Sequence, residues 1–367
     1  MQKLQAFIIN KIPKPWLSQI NQKNGHLILG LSCVLFNNIL DASELSRFNP
    51  NVITPQQVAV VVNKQDINSQ IIGDYYLNAR NIPKQNLIEV DIAPGVDTLN
   101  EAQFQALRNT IFSKINADIQ VIVLTWTRPF AVNCNSITSA IKMGYQPQQC
   151  ENSCGVGVHN PYFNNANGHA LKDYNMRLSI LLPTDSIKMA KNLIDKGILS
   201  AFKLNEATAY FLKTSDAARS KPREVFFPKD LTRLADKKLS IRTIKADGIE
   251  HKKDVMFYFT GAVAVAHLET INFLPGAIAD HLTSSGGMLT DDAQMSSLKW
   301  LEAGATGSYG SVSEPCNYWQ KFPNPAVLLN HYLKGDTLIE AYWKSVYWPT
   351  QGLFIGEPLA APYKINK

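Results

Sequence analysis

No run of five or more like charges occurs in the 367 residues, although the formal net charge is +6. A basic arm for a polyanion is therefore missing, and no nucleic-acid partner is expected. No apolar stretch reaches the roughly 20 residues that a membrane helix needs, so the mature chain is expected to carry no transmembrane span. A Gly-x-Gly-x-x-Gly turn after a strand is absent. Gly155-Val-Gly157 sits in a polar stretch, and Thr283-Ser-Ser-Gly-Gly287 lacks the lysine of a phosphate loop. Nucleotide, nicotinamide and flavin cofactors are not expected, and no cofactor is assigned. Paired C-x-x-C motifs are missing too. What remains, 45% hydrophobic and 18% charged residues with 20 Gly and 19 Pro, excludes a disordered tail, a collagen and a coiled coil.

The start of the chain has a different character. Residues 1–26 carry Lys3, Lys11, Lys14 and Lys23 and no acid, and an apolar run from Leu27 to Phe36 follows. A polar segment then ends in Asp41-Ala42. A basic region, a short apolar core and a small residue describe an export signal over residues 1–42. The alternative is a buried strand or helix of an intracellular protein. Leu40 is not the small residue expected three positions before the cut. Loss of residues 1–42 lowers the net charge from +6 to +3 and the cysteines from five to four: Cys134, Cys150, Cys154 and Cys316.

An even cysteine count in an exported chain favours two disulfides. Cys150–Cys154 is the preferred loop clip, with Cys134 joined to one of the two as the other reading. A zinc site from Cys134, Cys150, Cys154 and His159 is a minor alternative, because thiolate and imidazole are the usual ligands. The spacing is not a recognised zinc pattern, and no metal is assigned.

All-aliphatic runs bounded by polar residues predict buried parallel strands at 57–63, 86–92 and 120–125, then at 175–182, 208–212, 240–244, 254–260 and 353–355. Residues 305–312 read as a Gly-rich strand or turn. Helical spacing falls between the runs, at 71–79, 101–115, 183–197, 224–238, 275–285, 293–303, 324–333 and 336–346. Strand–helix alternation implies an α/β three-layer sandwich with a mainly parallel sheet. Residues 43–367 read as one domain in two halves, with a weak boundary near 200. A Cys-rich excursion over 126–172 interrupts the periodicity.

In open α/β sheets, ligands bind beyond the carboxyl ends of the strands. That rule selects Asn63, Arg128 and Glu314, with His267 some way past its strand. Asn63, Arg128 and Ser284 of the Gly-rich loop are binding candidates, and His267, Asp280, His281 and Glu314 are the catalytic ones. His267 or His281 would act as base and Glu314 would orient it. The same positions also cap helices and close turns, as Asp66 and Ser69 are expected to do. Cys316 beside His267 or His281 could form a thiolate dyad, against the reading that it is disulfide-bonded.

The densest stretch runs through Phe273-Leu-Pro-Gly-Ala-Ile-Ala-Asp-His-Leu-Thr-Ser-Ser-Gly-Gly287 and Leu301-Glu-Ala-Gly-Ala-Thr-Gly-Ser-Tyr-Gly310. It continues through Val312-Ser-Glu-Pro-Cys316, Leu338-Ile-Glu-Ala-Tyr-Trp343 and Gly356-Glu-Pro-Leu359. With Asn63, Ser69, Tyr75-Tyr76, Arg80, Ile82-Pro83 and Ser136, these blocks resemble a family of exported bacterial proteins that has no assigned activity, and the resemblance adds Ser136 to the binding candidates. More remotely, a strand ending in Gly, a Gly-rich segment near Glu-Pro and the helix after it resemble gingipain-type cysteine peptidases, which share a caspase-like fold. That resemblance implies a caspase/gingipain-like scaffold. It departs at the chemistry: Gly261-Ala-Val-Ala-Val-Ala-His267 replaces a His-Gly after the strand, and no Cys closes the next strand.

Two functions follow as expectations. One is an exported hydrolase, divergent or degenerate, on that scaffold. The other is a non-catalytic periplasmic or surface binding module for an unknown small molecule, peptide or glycan. Trp343, Tyr347 and Trp348 are offered as its stacking platforms; the alternative is that such large rings are core.

Overall fold

Val58-Ala-Val-Val-Val-Asn63 has no polar face to turn to water, and it forms strand β1 (Val58–Asn63), buried along its whole length. The computed structural model to which it belongs describes residues 53–364 apart from 167, 202–204 and 292; the expected leader lies outside the described residues. The other strands are β2 (Leu87–Val90), β3 (Thr98–Leu99), β4 (Val121–Thr125), β5 (Ala131–Val132), β6 (Asn135–Ser136), β7 (Leu178–Leu181) and β8 (Ala207–Lys213). After these come β9 (Thr232–Leu234), β10 (Leu239–Lys245), β11 (Val255–Gly261), β12 (Phe273–Leu282), β13 (Gly307–Ser311) and β14 (Gly352–Gly356). The helices are α1 (Ile67–Arg80), α2 (Glu101–Lys114), α3 (Ile137–Met143), α4 (Gln148–Glu151) and α5 (Ala170–Tyr174). They continue as α6 (Ile187–Leu199), α7 (Ala217–Glu224), α8 (Leu298–Glu302), α9 (Pro325–Leu333) and α10 (Leu338–Ser345).

Eleven strands make one sheet in the order β2-β1-β4-β7-β14-β13-β12-β11-β8-β10-β9, and β3-β5-β6 form a small second sheet. The α/β architecture with a large, mainly parallel sheet agrees with the sequence. Alternate residues of β1 enter two separate cores. Val58, Val60 and Val62 pack with Ile72 and Tyr76 of α1, whereas Ala59 and Val61 share the other core with Phe104 and Leu107 of α2 and Ile137 of α3. Helices therefore cover both faces. The start of α1 shows how the sequence sets a boundary. Asp66 caps it by accepting from the backbone N–H groups of Asn68 and Ser69, and Asn81 ends it in the left-handed region ahead of Ile82-Pro83.

The sheet holds one feature that strand–helix alternation does not announce. β2, β1, β4, β7 and β14 run parallel, as do β13, β12, β11, β8 and β10, but β13 pairs with β14 antiparallel. Two parallel blocks thus lie head to tail in one sheet, and their carboxyl ends fall on opposite rims.

Three predicted helices are corrected. Residues 275–285 form most of β12, not a helix, and its polar Asp280 and His281 have partners above and below the sheet. The helix expected over 224–238 ends at Glu224. Its chain then returns as β9, antiparallel to β10. The one expected over 293–303 shortens to α8, Leu298–Glu302.

Candidate functional site

At the carboxyl rim of the first block the predicted residues are consumed by the fold. Asn63 donates Nδ2–H to the Ile92 carbonyl at 3.0 Å, while its Oδ1 accepts from the Ile92 and Gln65 N–H groups at 3.0 and 3.1 Å. It is a clip between the tips of β1 and β2. Arg128 leaves the end of β4 and reaches Asp97 at 3.4 Å, half exposed; Asp97 also accepts from Thr290 Oγ1 at 2.9 Å.

The catalytic grouping is not assembled. Asp280 and His281 are successive residues of β12, so their side chains leave opposite faces of the sheet. Asp280 is paired with Arg223 of α7, which also donates to the Thr260 carbonyl at 2.7 Å. Burial pushes the Asp280 carboxyl pKa up, against the pull of Arg223. On the other face, His281 Nε2 lies 2.9 Å from the Met295 carbonyl, and Nδ1 is 2.9 Å from Trp300 Nε1. The indole can only donate, so Nδ1 accepts and the proton sits on Nε2. Burial holds that ring down to about 3, and neither nitrogen is left for a substrate. His267 is exposed on a left-handed turn (φ 62°), 3.8 Å from Glu269. Glu314 accepts from the Cys316 N–H at 2.7 Å. Ser136 caps α3, accepting from Ser139 N–H at 3.1 Å and donating to the Gly352 carbonyl. Among the described residues, no histidine ring is hydrogen-bonded to a hydroxyl or thiol.

The four cysteines among the described residues are spent in disulfides. Cys134 pairs with Cys150, and Cys154 with Cys316. The preferred Cys150–Cys154 clip is overturned; the reading that joined Cys134 to Cys150 stands. No thiolate remains for zinc or for a Cys316 dyad.

Cys154–Cys316 lies at the rim where β13 ends and β14 begins, and here three segments are woven together. Lys321 Nζ donates to the Ser153 carbonyl, Trp348 N–H to Gln320 at 2.7 Å, and Asn160 N–H to Tyr347 at 2.9 Å. Asn160 Nδ2 also reaches the carbonyls of Trp343 and Val346. Burial lowers the Lys321 pKa to about 8. The weave presents a continuous series of rings. Phe226 meets Trp319 (4.9 Å), Trp319 meets Phe163 and Tyr347 (6.5 and 6.4 Å), and Tyr347 meets Phe163, His159 and Trp348 (5.1, 4.6 and 5.8 Å). Trp348 in turn meets Tyr318 at 6.1 Å. All seven are half-buried or exposed. Exposed apolar residues adjoin them in the chain, Val156 and Val158 near His159 and Val225 beside Phe226. Of the platform residues offered from sequence, Tyr347 and Trp348 belong here. Trp343 does not: it is fully buried, stacked on Phe354, and donates to the Ser179 carbonyl at 3.0 Å. Sequence reading missed Phe163, Phe226, Tyr318 and Trp319. The signal available was the pair of adjacent aromatics, Tyr318-Trp319 and Tyr347-Trp348, in segments without periodicity.

The same rim carries Ser284, in the turn after β12. Its N–H donates to Gln294 Oε1 at 2.9 Å, and its hydroxyl has no hydrogen-bond partner among the described residues. Far from this turn in the sheet order, a groove of about 370 Å³ runs between β2 and α2. Its charges are turned inward on themselves, Lys64 to Asp91 (4.0 Å) and Lys114 to the Glu89 carbonyl (3.0 Å), and none of the predicted site residues lines it.

What the fold and rims define is a mixed α/β protein with two opposed parallel blocks. No protein-family model matches the chain, and no curated protein matches it at a significant level. Two solved structures are similar at low identity. One, described as the structure of a protease, shares 11% identity over 85% of this chain and 80% of its own, with a TM-score of 0.47. The other is the Arg-specific cysteine proteinase gingipain R, with 12% identity, 85% and 79% coverage and a TM-score of 0.41. No chemistry is transferred from either.

Proposed function

We propose that this is an exported binding module that holds a neutral glycan on the ring surface beside Cys154–Cys316. The observation that carries the reading is the uninterrupted series of seven partly exposed rings, fixed by a disulfide and backbone hydrogen bonds. A contiguous apolar patch on a folded surface marks a recognition site more often than packing waste. Aromatic faces match the apolar faces of sugar rings, and the polar groups beside them are mostly uncharged. Residues 144–168 include the partly or fully exposed Gln146, Gln148, Asn152 and Asn164, with Glu151 as their one carboxylate and no Lys or Arg. Asn317 and Gln320 come from the segment after β13. Side-chain amides offer both donors and acceptors to hydroxyls. Export is supported by the leader-like residues 1–42 and by the disulfides, which persist in oxidising compartments. Hydrolysis is the less favoured reading, because no nucleophile–base contact is found among the described residues.

The test is tryptophan fluorescence and calorimetric titration with neutral glucose-, mannose- and N-acetylglucosamine-based oligosaccharides. Trp319→Ala is expected to weaken binding about 10-fold or more, equivalent to roughly 1–3 kcal/mol for a stacked ring, without changing the urea midpoint. Binding that is absent across the panel, or unchanged in Trp319→Ala, would sink the proposal.

A further inference from the structure

The turn after β12 holds an arrangement of donors that the glycan reading does not use. One atom, Gln294 Oε1, accepts from Thr283 Oγ1–H, from Ser284 N–H at 2.9 Å and from Ser285 N–H at 3.1 Å. Behind Thr283 stands Arg219, whose Nε donates to Thr283 Oγ1 at 3.3 Å and so leaves the hydroxyl proton pointing at Gln294. Three convergent donors backed by a guanidinium make a concavity suited to a negative oxygen. Charge-assisted hydrogen bonds are roughly twice as strong as neutral ones. The occupant is nevertheless a neutral amide carbonyl. Among the described residues no carboxylate accepts from the turn: Asp216 is engaged with Arg219 Nη1 at 2.9 Å, and Asp280 leaves the opposite face of β12.

The cradle does not depend on its occupant. Gly286 C=O accepts from Ser297 N–H at 2.6 Å, Gly287 N–H donates to Ser311 C=O at 2.8 Å, and Ser285 C=O accepts from Met288 N–H at 2.9 Å. Gly287 lies against Gly310 of β13 so closely that a Cβ on it would sit 2.4 Å from the Gly310 carbonyl oxygen. Every other polar backbone group of 285–287 that is hydrogen-bonded here is thus tied to the scaffold. Gln294 is half-buried, next to exposed Ala293, while its neighbour Met295 fixes the backbone there through its N–H to the Val263 carbonyl at 3.0 Å and its carbonyl to His281 Nε2 at 2.9 Å. Its side chain can rotate away without breaking the turn.

We propose that Thr283, Ser284, Ser285 and Arg219 form a carboxylate-binding site that Gln294 occupies as a removable plug. This site is independent of the ring surface and stands or falls apart from it.

The experiment uses the full chain labelled with ¹⁵N-serine and acetate as the probe, read at the Ser284 and Ser285 amide resonances. Gln294→Ala is expected to bind acetate about tenfold more tightly than the wild type, and adding Arg219→Gln should remove most of that gain. Gln294→Glu is the second arm. Its own carboxylate should fill the cradle, titrate below the ordinary glutamate range and abolish the acetate response. If the amides of Gln294→Ala ignore acetate, or the new glutamate titrates at or above its ordinary value, the site is not an anion cradle. Should Gln294→Ala fail to fold, the titration of Gln294→Glu decides alone.

Discussion

The two parallel blocks of the sheet end in different ways. Beyond the first block, Asn63 is exhausted by Ile92 and Gln65, the Ser69 hydroxyl bridges Asn63 N–H to the Thr125 carbonyl, and Thr127 accepts from Thr184 and Asp185. Each of these three side chains closes a turn, whereas the buried Thr125 and Thr184 hydroxyls beside them have no hydrogen-bond partner among the described residues. Beyond the second block the same residue types leave capacity unused: the Ser284 hydroxyl, the plugged cradle and the ring surface. Position at a strand's carboxyl end is therefore necessary but not sufficient for a site. What separates the two rims is that Asn63, Ser69 and Thr127 of the first are paired with the backbone of neighbouring loops, while the second carries a solvent-facing ring surface and a free Ser284 hydroxyl.

The largest way to break the comparison is to untie the second rim. The chain-entropy account makes a disulfide worth more as its loop lengthens, and Cys154–Cys316 spans 162 positions against 16 for Cys134–Cys150. The Cys154→Ser/Cys316→Ser pair is expected to lose about 2–5 kcal/mol in urea unfolding, roughly 2 kcal/mol more than Cys134→Ser/Cys150→Ser. It should also weaken binding at the rings. An equal loss from the two pairs would show that loop closure is not what the longer link contributes.

A smaller effect separates the interiors. No strand of the first block contains a histidine, whereas β12 buries His281 between Trp300 and Met295. Burial holds its ring at about 3 against an ordinary 6.5. Between those values the unfolded chain binds a proton that the folded chain refuses, so stability is full above pH 6.5 and falls as pH drops toward 3. The loss should reach a few kcal/mol. His281→Gln keeps an acceptor for Trp300 and a donor for Met295, and it should flatten that acid slope while changing stability at pH 7 less. Chemical denaturation at pH 7, 5.5 and 4 reads this directly; an unchanged slope would place the acid sensitivity elsewhere.

The smallest expected effect sharpens the contrast. Asn63→Ala removes the clip between β1 and β2 and should cost about 1–3 kcal/mol, because the backbone groups of Ile92 lose their partner. Glycan and acetate binding should not move. A change in either affinity would mean that the first rim takes part in recognition after all.

The sequence was most readable where a strand is buried on both faces. β1, β4, β8 and β11 are nearly unbroken aliphatic or aromatic runs, and their length sets them apart from helices. β12 was misread because Pro275-Gly276 and the polar pair Asp280-His281 break the pattern. Their partners, Arg223 and Trp300, lie 57 and 19 residues away. The reversal between β13 and β14 was invisible for a related reason. Helices α9 and α10 fill the connection, and strand–helix–strand looks alike in sequence whether the second strand returns parallel or antiparallel. With the direction of one block reversed, the predicted pocket joined residues that belong to opposite rims. Tyr347 and Trp348 were legible as platforms, but Phe163, Phe226, Tyr318 and Trp319 escaped notice because half-exposed aromatics in irregular segments follow no period.

Strand β14 comes last in chain order, yet it sits in the centre of the sheet between β7 and β13. Without residues 352–356, β7 and β13 would border two unjoined half-sheets, each with a row of unpaired backbone N–H and C=O groups. Closure of the sheet therefore depends on a strand that follows both of its neighbours in the chain.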